Sequence, residues 1–328
     1  MELYFAPMEG ITTCTYRNAY HRYFGGVDRY YTPFLTCSNL KGKDLYQVAP
    51  ENNQGFTLVP QILTKNADLF CGLASQFHAL GYEEVNLNLG CPSGTVVRKG
   101  HGAGFLANRE ELTVFLDKIF SNTGAEISVK TRVGMNDLAE WPELLKIYKK
   151  FPIKELTIHP RLGREMYRGV PHLTAFAEAV KAYADGTSIT KLCYNGDIVT
   201  ASDTEAVLSR INNYLEVHAD GLTVAKEDLN LMVGRGILRN PWLPGELGEQ
   251  QVAADSRQTQ LRGFLNALKE SYLSEMKGNE APVLMKLKEV WTYLGKGLTL
   301  EKDSYKAILK CKTLADYNAV VNVLLLKL

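Results

Sequence analysis

The sequence predicts an α/β protein built on a (β/α)8 TIM barrel and followed by a small C-terminal bundle of α-helices. Short β-rich runs alternate with spacers of helix length, and the pattern changes to helical periodicity after about residue 259. A barrel of this type occupies roughly 250 residues. A chain of 328 residues therefore accommodates the barrel and a smaller appendage.

Eight runs along the first 233 residues are predicted to be β-strands. Several are continuous apolar runs, which is typical of parallel strands covered by helices, and the spacers suit crossover helices. We therefore expect these strands to close into a barrel. The predicted strands span residues 3–7, 29–32, 57–61, 84–89, 126–131, 155–159, 191–195 and 229–233.

Polar or glycine-containing segments follow seven of these runs. In a (β/α)8 barrel the loops after the strands form the catalytic face, so residues far apart in sequence are expected to meet there. A doubly wound sheet also uses the carboxyl ends of its strands, but it normally carries a glycine-rich dinucleotide loop after the first strand. The sequence APMEGIT stands at that position instead, which favours the barrel.

The chain changes character after residue 242. Residues 243–251 include turn residues and few apolar ones, which predicts a linker. Apolar residues then recur at helical spacing to residue 328, so we expect a catalytic barrel over residues 1–242 and a helical domain over residues 243–328. Seven lysines from Lys286 to Lys312 can contact phosphates, although a solvated helix face explains them equally well.

Composition and charge restrict the class of protein. Hydrophobic residues at 45% and charged residues at 22% are typical of soluble globular proteins. A net charge of +1 gives no general argument for a polyanionic partner, so any nucleic-acid surface must be local. The six cysteines show no metal-ligand spacing, which favours a reducing compartment and no metal site. Without a secretory leader or a long apolar run, a cytoplasmic protein outside the membrane is expected.

One run carries the most specific chemical signal. Residues 88–92 form the sequence NLGCP at the end of the fourth predicted strand, with Asn88, Gly90, Cys91 and Pro92 as its distinctive members. In isolation, a cysteine after a strand is more often a small buried hydrophobic residue than a catalyst. Here further motifs accompany it in a fixed order. They are APMEG at 6–10, Gln61, VKTR at 129–132, IHPR at 158–161, NGD at 195–197 and GRG at 234–236.

In this order the motifs resemble those of the tRNA-dihydrouridine synthases, and the resemblance covers most of residues 1–242. It implies an FMN-dependent enzyme that reduces the C5=C6 bond of specific uridines in tRNA, with NADPH or NADH as reductant. It also implies that a hydride passes from flavin N5 to C6 and that Cys91 gives a proton to C5. A thiol suits this role because its ordinary pKa of about 8.5 keeps it mainly protonated near neutral pH.

The resemblance also implies a flavin site at the carboxyl ends of the strands. Backbone amides at 195–197 and 234–236 can approach a phosphate closely because glycine lacks a Cβ, and the last two loops of such barrels usually bind phosphate. Lys130 can stabilise negative charge on the reduced ring, and Gln61 can bond its pyrimidine edge. The predicted flavin-binding residues are Pro7, Met8, Glu9, Gln61, Lys130, His159, Asn195, Gly196, Asp197, Gly234 and Arg235.

A uridine inside folded RNA reaches such a site only after base flipping. Asn88 can offer a donor and an acceptor to uracil, and Arg132 and Arg161 are the other predicted substrate-binding residues. The basic loop at 98–101, together with Arg164 and Arg168, suits RNA phosphates, with a solvated loop as the alternative for the arginines. A monomer that binds tRNA is expected.

Two other functions are alternatives. A flavin barrel such as a dihydroorotate dehydrogenase shares the cofactor but not the substrate, and the arginine-rich loops and C-terminal helices favour a large RNA instead. A flavin-carrying protein that remodels tRNA without turnover is the second alternative, and the presence of Cys91 and Lys130 argues against it. The sequence does not reveal which uridine is modified.

Overall fold

The β-strands form one parallel sheet in the order β3-β2-β1-β9-β8-β7-β6-β5-β4. The computed structural model of the chain describes residues 1–249, 253–298, 300 and 302–326. The strands are β1 (Leu3–Phe5), β2 (Arg29–Tyr31), β3 (Thr57–Val59), β4 (Gln61–Ile62), β5 (Glu84–Leu89), β6 (Glu126–Arg132), β7 (Glu155–His159), β8 (Lys191–Tyr194) and β9 (Asn230–Val233). With the surrounding helices they form a TIM barrel, as the sequence predicts.

The barrel is completed by one strand that is split at Pro60. β3 pairs with β2 and β4 pairs with β5, with only Pro60 between the two halves. Proline has no N–H to donate to a sheet ladder. Its carbonyl still accepts a hydrogen bond from the amide of Asn86, at 2.8 Å. When the two halves are counted as one, the eight predicted strands are all confirmed, and the predicted single strand over 57–61 is corrected to a split one.

Strand β5 is buried along its whole length, yet it alternates polar and apolar residues. Asn86 and Asn88 alternate with Val85, Leu87 and Leu89. Successive side chains of a strand point to opposite faces. The register places Asn88 beside Lys130 on β6, and that row continues across β7 to Cys193, which lies in the core cluster inside the barrel. The polar face of β5 therefore lines the interior, and its apolar face packs against helices.

Asparagine side chains cap the amino ends of two barrel helices, α3 (Ala67–Ala79) and α5 (Arg109–Asn122). Asn66 and Asn108 cap α3 and α5 by accepting hydrogen bonds from the amides of Leu69 and Glu111, at 3.0 and 3.2 Å. The helices are α1 (Cys14–Tyr23), α2 (Gly42–Val48), α3 (Ala67–Ala79), α4 (Gly94–Val97), α5 (Arg109–Asn122), α6 (Trp141–Tyr148), α7 (Leu173–Tyr183), α8 (Ala201–His218), α9 (Arg235–Arg239), α10 (Leu243–Leu247), α11 (Ala254–Glu275), α12 (Glu280–Gly297), α13 (Lys302–Lys310) and α14 (Leu314–Leu325). Short 3-10 helices span Pro50–Asn52, Gly102–Ala107, Leu138–Glu140, Gly163–Glu165 and Lys226–Asp228.

Backbone contacts divide the chain into two compact units. The first comprises residues 1–7, 28–197 and 202–233 and contains every strand named above. The second comprises residues 8–27, 198–201 and 234–328, so it includes α1 as well as the C-terminal helices. Within it, the ring of Tyr16 packs edge-on against Phe264, with ring centres 5.4 Å apart. The hydroxyl of Tyr20 donates to the carbonyl of Pro241 at 2.7 Å.

The predicted linker over residues 243–251 is wrong for its first part. Leu243–Leu247 form α10, and Leu243 and Leu247 are 0% and 4% exposed. A helix this short needs few apolar residues to be anchored, so the low apolar content of the segment was misleading. Residues 250–251 lie outside the described residues. Within the described ranges, none of the helices combines the length and the apolar character needed to cross a membrane.

Two members of the predicted lysine cluster have partners inside the second unit. Lys286 donates to the carbonyl of Gly10 at 2.8 Å and pairs with Glu289 at 2.9 Å. Lys288 donates to the carbonyl of Cys311. These two lysines therefore have a structural explanation, and a phosphate-binding role of the cluster stays a prediction.

Candidate active site

Cys91 lies at the carboxyl end of β5, and its main chain is held from two sides. The side-chain oxygen of Asn88 accepts hydrogen bonds from the amides of Gly90 and Cys91, at 3.0 and 2.9 Å. The amide of Ala103 donates to the carbonyl of Cys91 at 3.0 Å. The Cys91 side chain itself is half-buried. The turn thus fixes the backbone while leaving the thiol partly accessible.

The segment after Cys91 folds back onto it closely enough to require glycine. Gly102 has a φ of +55°, and a Cβ there would lie 2.7 Å from the carbonyl oxygen of Cys91. A Cβ on Gly104 would lie 2.8 Å from the carbonyl oxygen of Val97. Residues other than glycine rarely adopt a positive φ, and neither of these close approaches leaves room for a Cβ. These glycines allow the loop after Cys91 to form.

A chain of buried amide side chains runs from the Cys91 turn across three strands. Asn88 Nδ2 donates to Gln61 Oε1 at 2.8 Å, and Gln61 Nε2 donates to Asn86 Oδ1 at 2.8 Å. Asn86 Nδ2 donates to Ser128 Oγ at 2.9 Å. Gln61, Asn86 and Ser128 are 0% exposed, and Asn88 is 6% exposed. Sequence reasoning missed Asn86 and Ser128, although the alternation of polar residues along β5 could have indicated Asn86.

Lys130 places a desolvated cation in the same interior. Its Nζ donates to Asn195 Oδ1 at 2.6 Å, and Asn195 Nδ2 donates to the carbonyl of Met232 at 2.7 Å. Burial lowers the pKa of Lys130 to about 8, with a further contribution from the positive charge of Arg132. A partly buried cation of this kind is suited to a negatively charged ligand group.

Arg132 connects the Cys91 turn to the loop after β7. Its Nε donates to the carbonyl of Gly90 at 2.9 Å, and its Nη1 donates to the carbonyl of Leu162 at 2.8 Å. Its guanidinium lies 5.5 Å from the ring centre of Tyr167, a residue that is half exposed. Burial lowers the pKa of Arg132 to about 10. Sequence reasoning did not include Tyr167.

Arg161 is fully buried and organises the loop in which it lies. It forms an ion pair with Asp197 and donates to the carbonyls of Arg168 and Gly169, at 3.3 and 2.8 Å. Its Nη1 lies 3.1 Å from Nε2 of His159. These contacts bring together three predicted site residues and give Arg161 a structural role. Its direct contact with substrate stays a prediction.

Gly196 is a glycine for a reason that the sequence did not indicate. A Cβ at this position would lie 2.0 Å from the hydroxyl of Tyr194, whose side chain is buried. The residue is therefore required by the packing of β8 against its own loop. Whether its amide also approaches a phosphate is a separate prediction.

The remaining predicted site residues are divided between the two units. Pro7 belongs to the first unit, whereas Met8, Glu9, Gly234 and Arg235 belong to the second. In the second unit the carbonyl of Met8 accepts hydrogen bonds from the amides of Ile11 and Thr12, both at 3.0 Å. Glu9 is exposed. Among the residues that the structure describes, no group of histidine, cysteine and acidic side chains is arranged to hold a metal ion.

Comparison with known proteins identifies the family. A model of the family described as dihydrouridine synthase matches residues 4–313. The chain belongs to the dihydrouridine synthase family. It is 29% identical over 242 residues to a probable tRNA-dihydrouridine synthase of Staphylococcus epidermidis, with 72% of this chain and 69% of that protein covered. It is also 29% identical over 243 residues to a probable tRNA-dihydrouridine synthase 2 of Bacillus subtilis, with 72% and 69% covered. The resemblance noted in the sequence is thereby confirmed.

In this dihydrouridine synthase family member, the first unit gathers groups with complementary chemistry. Arg132 donates to the carbonyl of Gly90, which directly precedes Cys91, and the strand register places Lys130 beside Asn88 at the same end of β5. Two positively charged side chains and a half-buried thiol are thus gathered at the carboxyl end of one strand.

Proposed function

We propose that this protein is an FMN-dependent tRNA-dihydrouridine synthase, which reduces the C5=C6 bond of specific uridines in tRNA with NADPH or NADH. The observation that carries the proposal is the half-buried residue Cys91, fixed at the end of β5 in a turn to which Arg132 donates and which adjoins the Asn88–Lys130 pair of the sheet. Membership of the dihydrouridine synthase family and the names of the relatives support the reaction and the tRNA substrate.

The buried polar groups inside the barrel fit a flavin. Lys130 holds a desolvated positive charge that favours an anionic ring, and Gln61 has an amide N–H beyond the one it donates to Asn86. His159, Asn195, Gly196 and Asp197 complete this side of the proposed site. When bound, the reduced flavin supplies a hydride to C6 of uracil. Pro7, Met8, Glu9, Gly234 and Arg235 stay predicted flavin contacts from the sequence.

Cys91 supplies the proton in the proposed reaction. Its S–H bond breaks as the proton passes to C5 of uracil, and the electron pair of that bond stays on sulfur as a thiolate. Lys130 and Arg132 stabilise this thiolate, and a proton from water restores the thiol before the next turnover. The uracil thus gains one hydride and one proton, which is the balance for reducing one C=C bond.

The substrate side of the site follows from the remaining donors. The oxygen of Asn88 already accepts two main-chain N–H groups, so Asn88 can offer uracil an N–H donor, which suits a carbonyl oxygen. Arg132 and Arg161 are the other proposed substrate-side residues. Exposed Arg98 and Lys99 suit tRNA phosphates. The helical domain over 243–328 is the proposed further tRNA-binding region of a monomeric cytoplasmic enzyme.

The experiment that tests the proposal supplies the FMN-loaded protein with NADPH and tRNA transcribed without modifications. We expect NADPH to be consumed and dihydrouridine to form at defined positions, which mapping of the tRNA identifies. Orotate and a simple enone, offered in place of tRNA, should not be reduced at a comparable rate. Reduction of orotate or the enone without any new dihydrouridine would overturn the proposal.

A further inference from the structure

The buried amide side chains all donate their hydrogen bonds in one direction along the series. This direction is set by the main-chain N–H groups of Gly90 and Cys91. A main-chain N–H can only donate, so the atom of Asn88 that faces Gly90 and Cys91 must be its oxygen. Asn88 Nδ2 then faces Gln61, which must present its oxygen there. The orientation of an amide side chain is normally assigned from its partners, and here backbone donors fix it without ambiguity.

The orientation of Gln61 in turn fixes the orientation of Asn86 on β5. Because Gln61 Oε1 faces Asn88, its Nε2 faces Asn86 and donates to Asn86 Oδ1 at 2.8 Å. Asn86 Nδ2 must then find an acceptor, and Ser128 Oγ lies 2.9 Å away. Ser128 is therefore the last member of a series of buried residues linked by hydrogen bonds. In this series, the orientation of each side chain determines the orientation of the next.

We infer that Asn86 and Ser128 are positioning residues that hold Gln61 in one amide orientation and so determine which of its atoms meets a flavin. This inference rests on the proposed function, in which Gln61 contacts the flavin. The bond to Asn86 uses one of the two hydrogens on Gln61 Nε2, and the second is not used by Asn88, Asn86 or Ser128. This series of hydrogen bonds therefore favours a ligand that presents a hydrogen-bond acceptor to Gln61, such as a carbonyl oxygen of a pyrimidine-dione ring.

Loss of Ser128 Oγ should change the orientation of the Gln61 amide, although Asn86 lies between the two residues in the series of hydrogen bonds. Without this acceptor, a buried N–H of Asn86 has no partner, and such a group is costly to leave unpaired. Asn86 and Gln61 can lower that cost by turning their amides. Gln61 then presents the wrong atom both to Asn88 and to the ligand, so the effect reaches the flavin site through two intervening residues.

The test is a double-mutant cycle on FMN binding to the full chain. Ser128→Ala should raise the dissociation constant of FMN about fivefold, as expected for loss of one well-aligned hydrogen bond. In a Gln61→Met background, Ser128→Ala should change that constant less than about twofold, because the residue it positions is gone. Flavin fluorescence during titration of apoprotein measures both constants. The flavin absorption spectrum should shift in Ser128→Ala and not shift further in the double variant.

Thr131→Val is the matched control. Thr131 is equally buried on β6, and its hydroxyl bonds Tyr148 at 2.9 Å, outside the amide chain. Its effect on the FMN dissociation constant should be the same with and without Gln61. An equal effect of Ser128→Ala in both backgrounds would overturn the inference while leaving the proposed function intact.

The free energy of unfolding gives a second cycle that does not depend on flavin. Ser128→Ala and Gln61→Met should be non-additive in urea denaturation, although the two side chains are separated by Asn86. If the wild-type protein bound no FMN, the proposed function would fail and this cycle alone would decide the inference. Additive free energies would then overturn it.

Discussion

Burial separates the arginines around the site into two groups. Arg132 and Arg161 are 1% and 0% exposed, and each donates to main-chain carbonyls of the loop after β7. Arg164 and Arg168 lie in the same loop with exposed side chains. A buried guanidinium bonded on several sides holds the protein together, whereas an exposed one is available to a phosphate.

We therefore expect Arg161→Ala and Arg164→Ala to have opposite signatures. Arg161→Ala should lower the free energy of unfolding by about 2 to 3 kcal/mol, because it removes a buried guanidinium and leaves the carbonyls that it bonds without a donor. Arg164→Ala should change stability by less than about 0.5 kcal/mol and should weaken tRNA binding, with a smaller salt dependence. Urea denaturation and binding at several salt concentrations measure the two effects. A stable Arg161→Ala protein would show that this explanation is wrong.

At the residue level, the structure brings several of the motif residues together in the first unit. Cys91, Asn88 and Arg132 share one hydrogen-bonded turn, and Lys130 contacts Asn195. The motifs did not predict the partners of Asn88, because hydrogen bonds between strands depend on the register in which the strands pair. That register is fixed by packing of the whole barrel, and motif spacing contains no information about it.

Among the elements, the loop after Cys91 depends most on single glycines. Gly102→Ala should destabilise the protein by about 2 kcal/mol, because it combines a positive φ with a Cβ 2.7 Å from the carbonyl of Cys91. The displaced Cys91 turn should also slow dihydrouridine formation about tenfold or more. Thermal unfolding and tRNA assays check both results.

Gly94→Ala is the control for this prediction. Gly94 begins α4, and a Cβ there would meet no atom within 4 Å. This variant should keep its stability within about 0.5 kcal/mol of the wild type. Equal behaviour of the two glycine variants would mean that the close approach to Cys91 does not constrain the loop.

The elements themselves were predicted unequally well. The predicted strands over 84–89 and 155–159 agree with β5 and β7 at both ends. The split at Pro60 was not predicted, because a proline within a β-rich run does not show whether its neighbours pair on one side or on both. Helix α10 was not predicted either, because Leu243 and Leu247 are too few to create a visible helical period.

At the level of the whole barrel, a partly buried ionic cluster lies at the amino ends of the strands. Tyr4 Oη is 2.6 Å from a carboxylate oxygen of Glu155 and 2.6 Å from one of Glu2. Arg29 bridges Glu2 and Glu84, at 3.5 and 3.2 Å. In TIM barrels this end of the sheet serves stability and the opposite end serves chemistry. The cluster is therefore expected to influence unfolding and not the reaction.

The cluster predicts a specific dependence of stability on pH. Burial raises the pKa of Glu155 to about 7 against the lowering effects of Tyr4 and Arg29. The folded protein thus retains a proton that the unfolded chain has lost above an ordinary pKa of about 4.3. The free energy of unfolding should therefore fall as pH rises from about 4 to 7.

Glu155→Gln should remove this part of the pH dependence. Between pH 5 and pH 8, the free energy of unfolding should fall by about 2 to 3 kcal/mol less in the variant than in the wild type. Urea denaturation at the two pH values gives the difference. Glu110→Gln, at an exposed position of α5, should follow the wild-type profile. A wild-type profile in Glu155→Gln would show that Glu155 is not the group responsible.

Cys91 is the proposed proton donor in the reduction of a tRNA uridine, and the two half-reactions of the enzyme test this claim most directly. Flavin reduction by NADPH and flavin reoxidation by tRNA can be followed separately by absorbance in wild type and in Cys91→Ala. The Cys91→Ala protein should be reduced within about twofold of the wild-type rate, and its reoxidation by tRNA should be slower by about 100-fold or more. Reoxidation of Cys91→Ala by tRNA at the wild-type rate, with dihydrouridine formed, would contradict the claim.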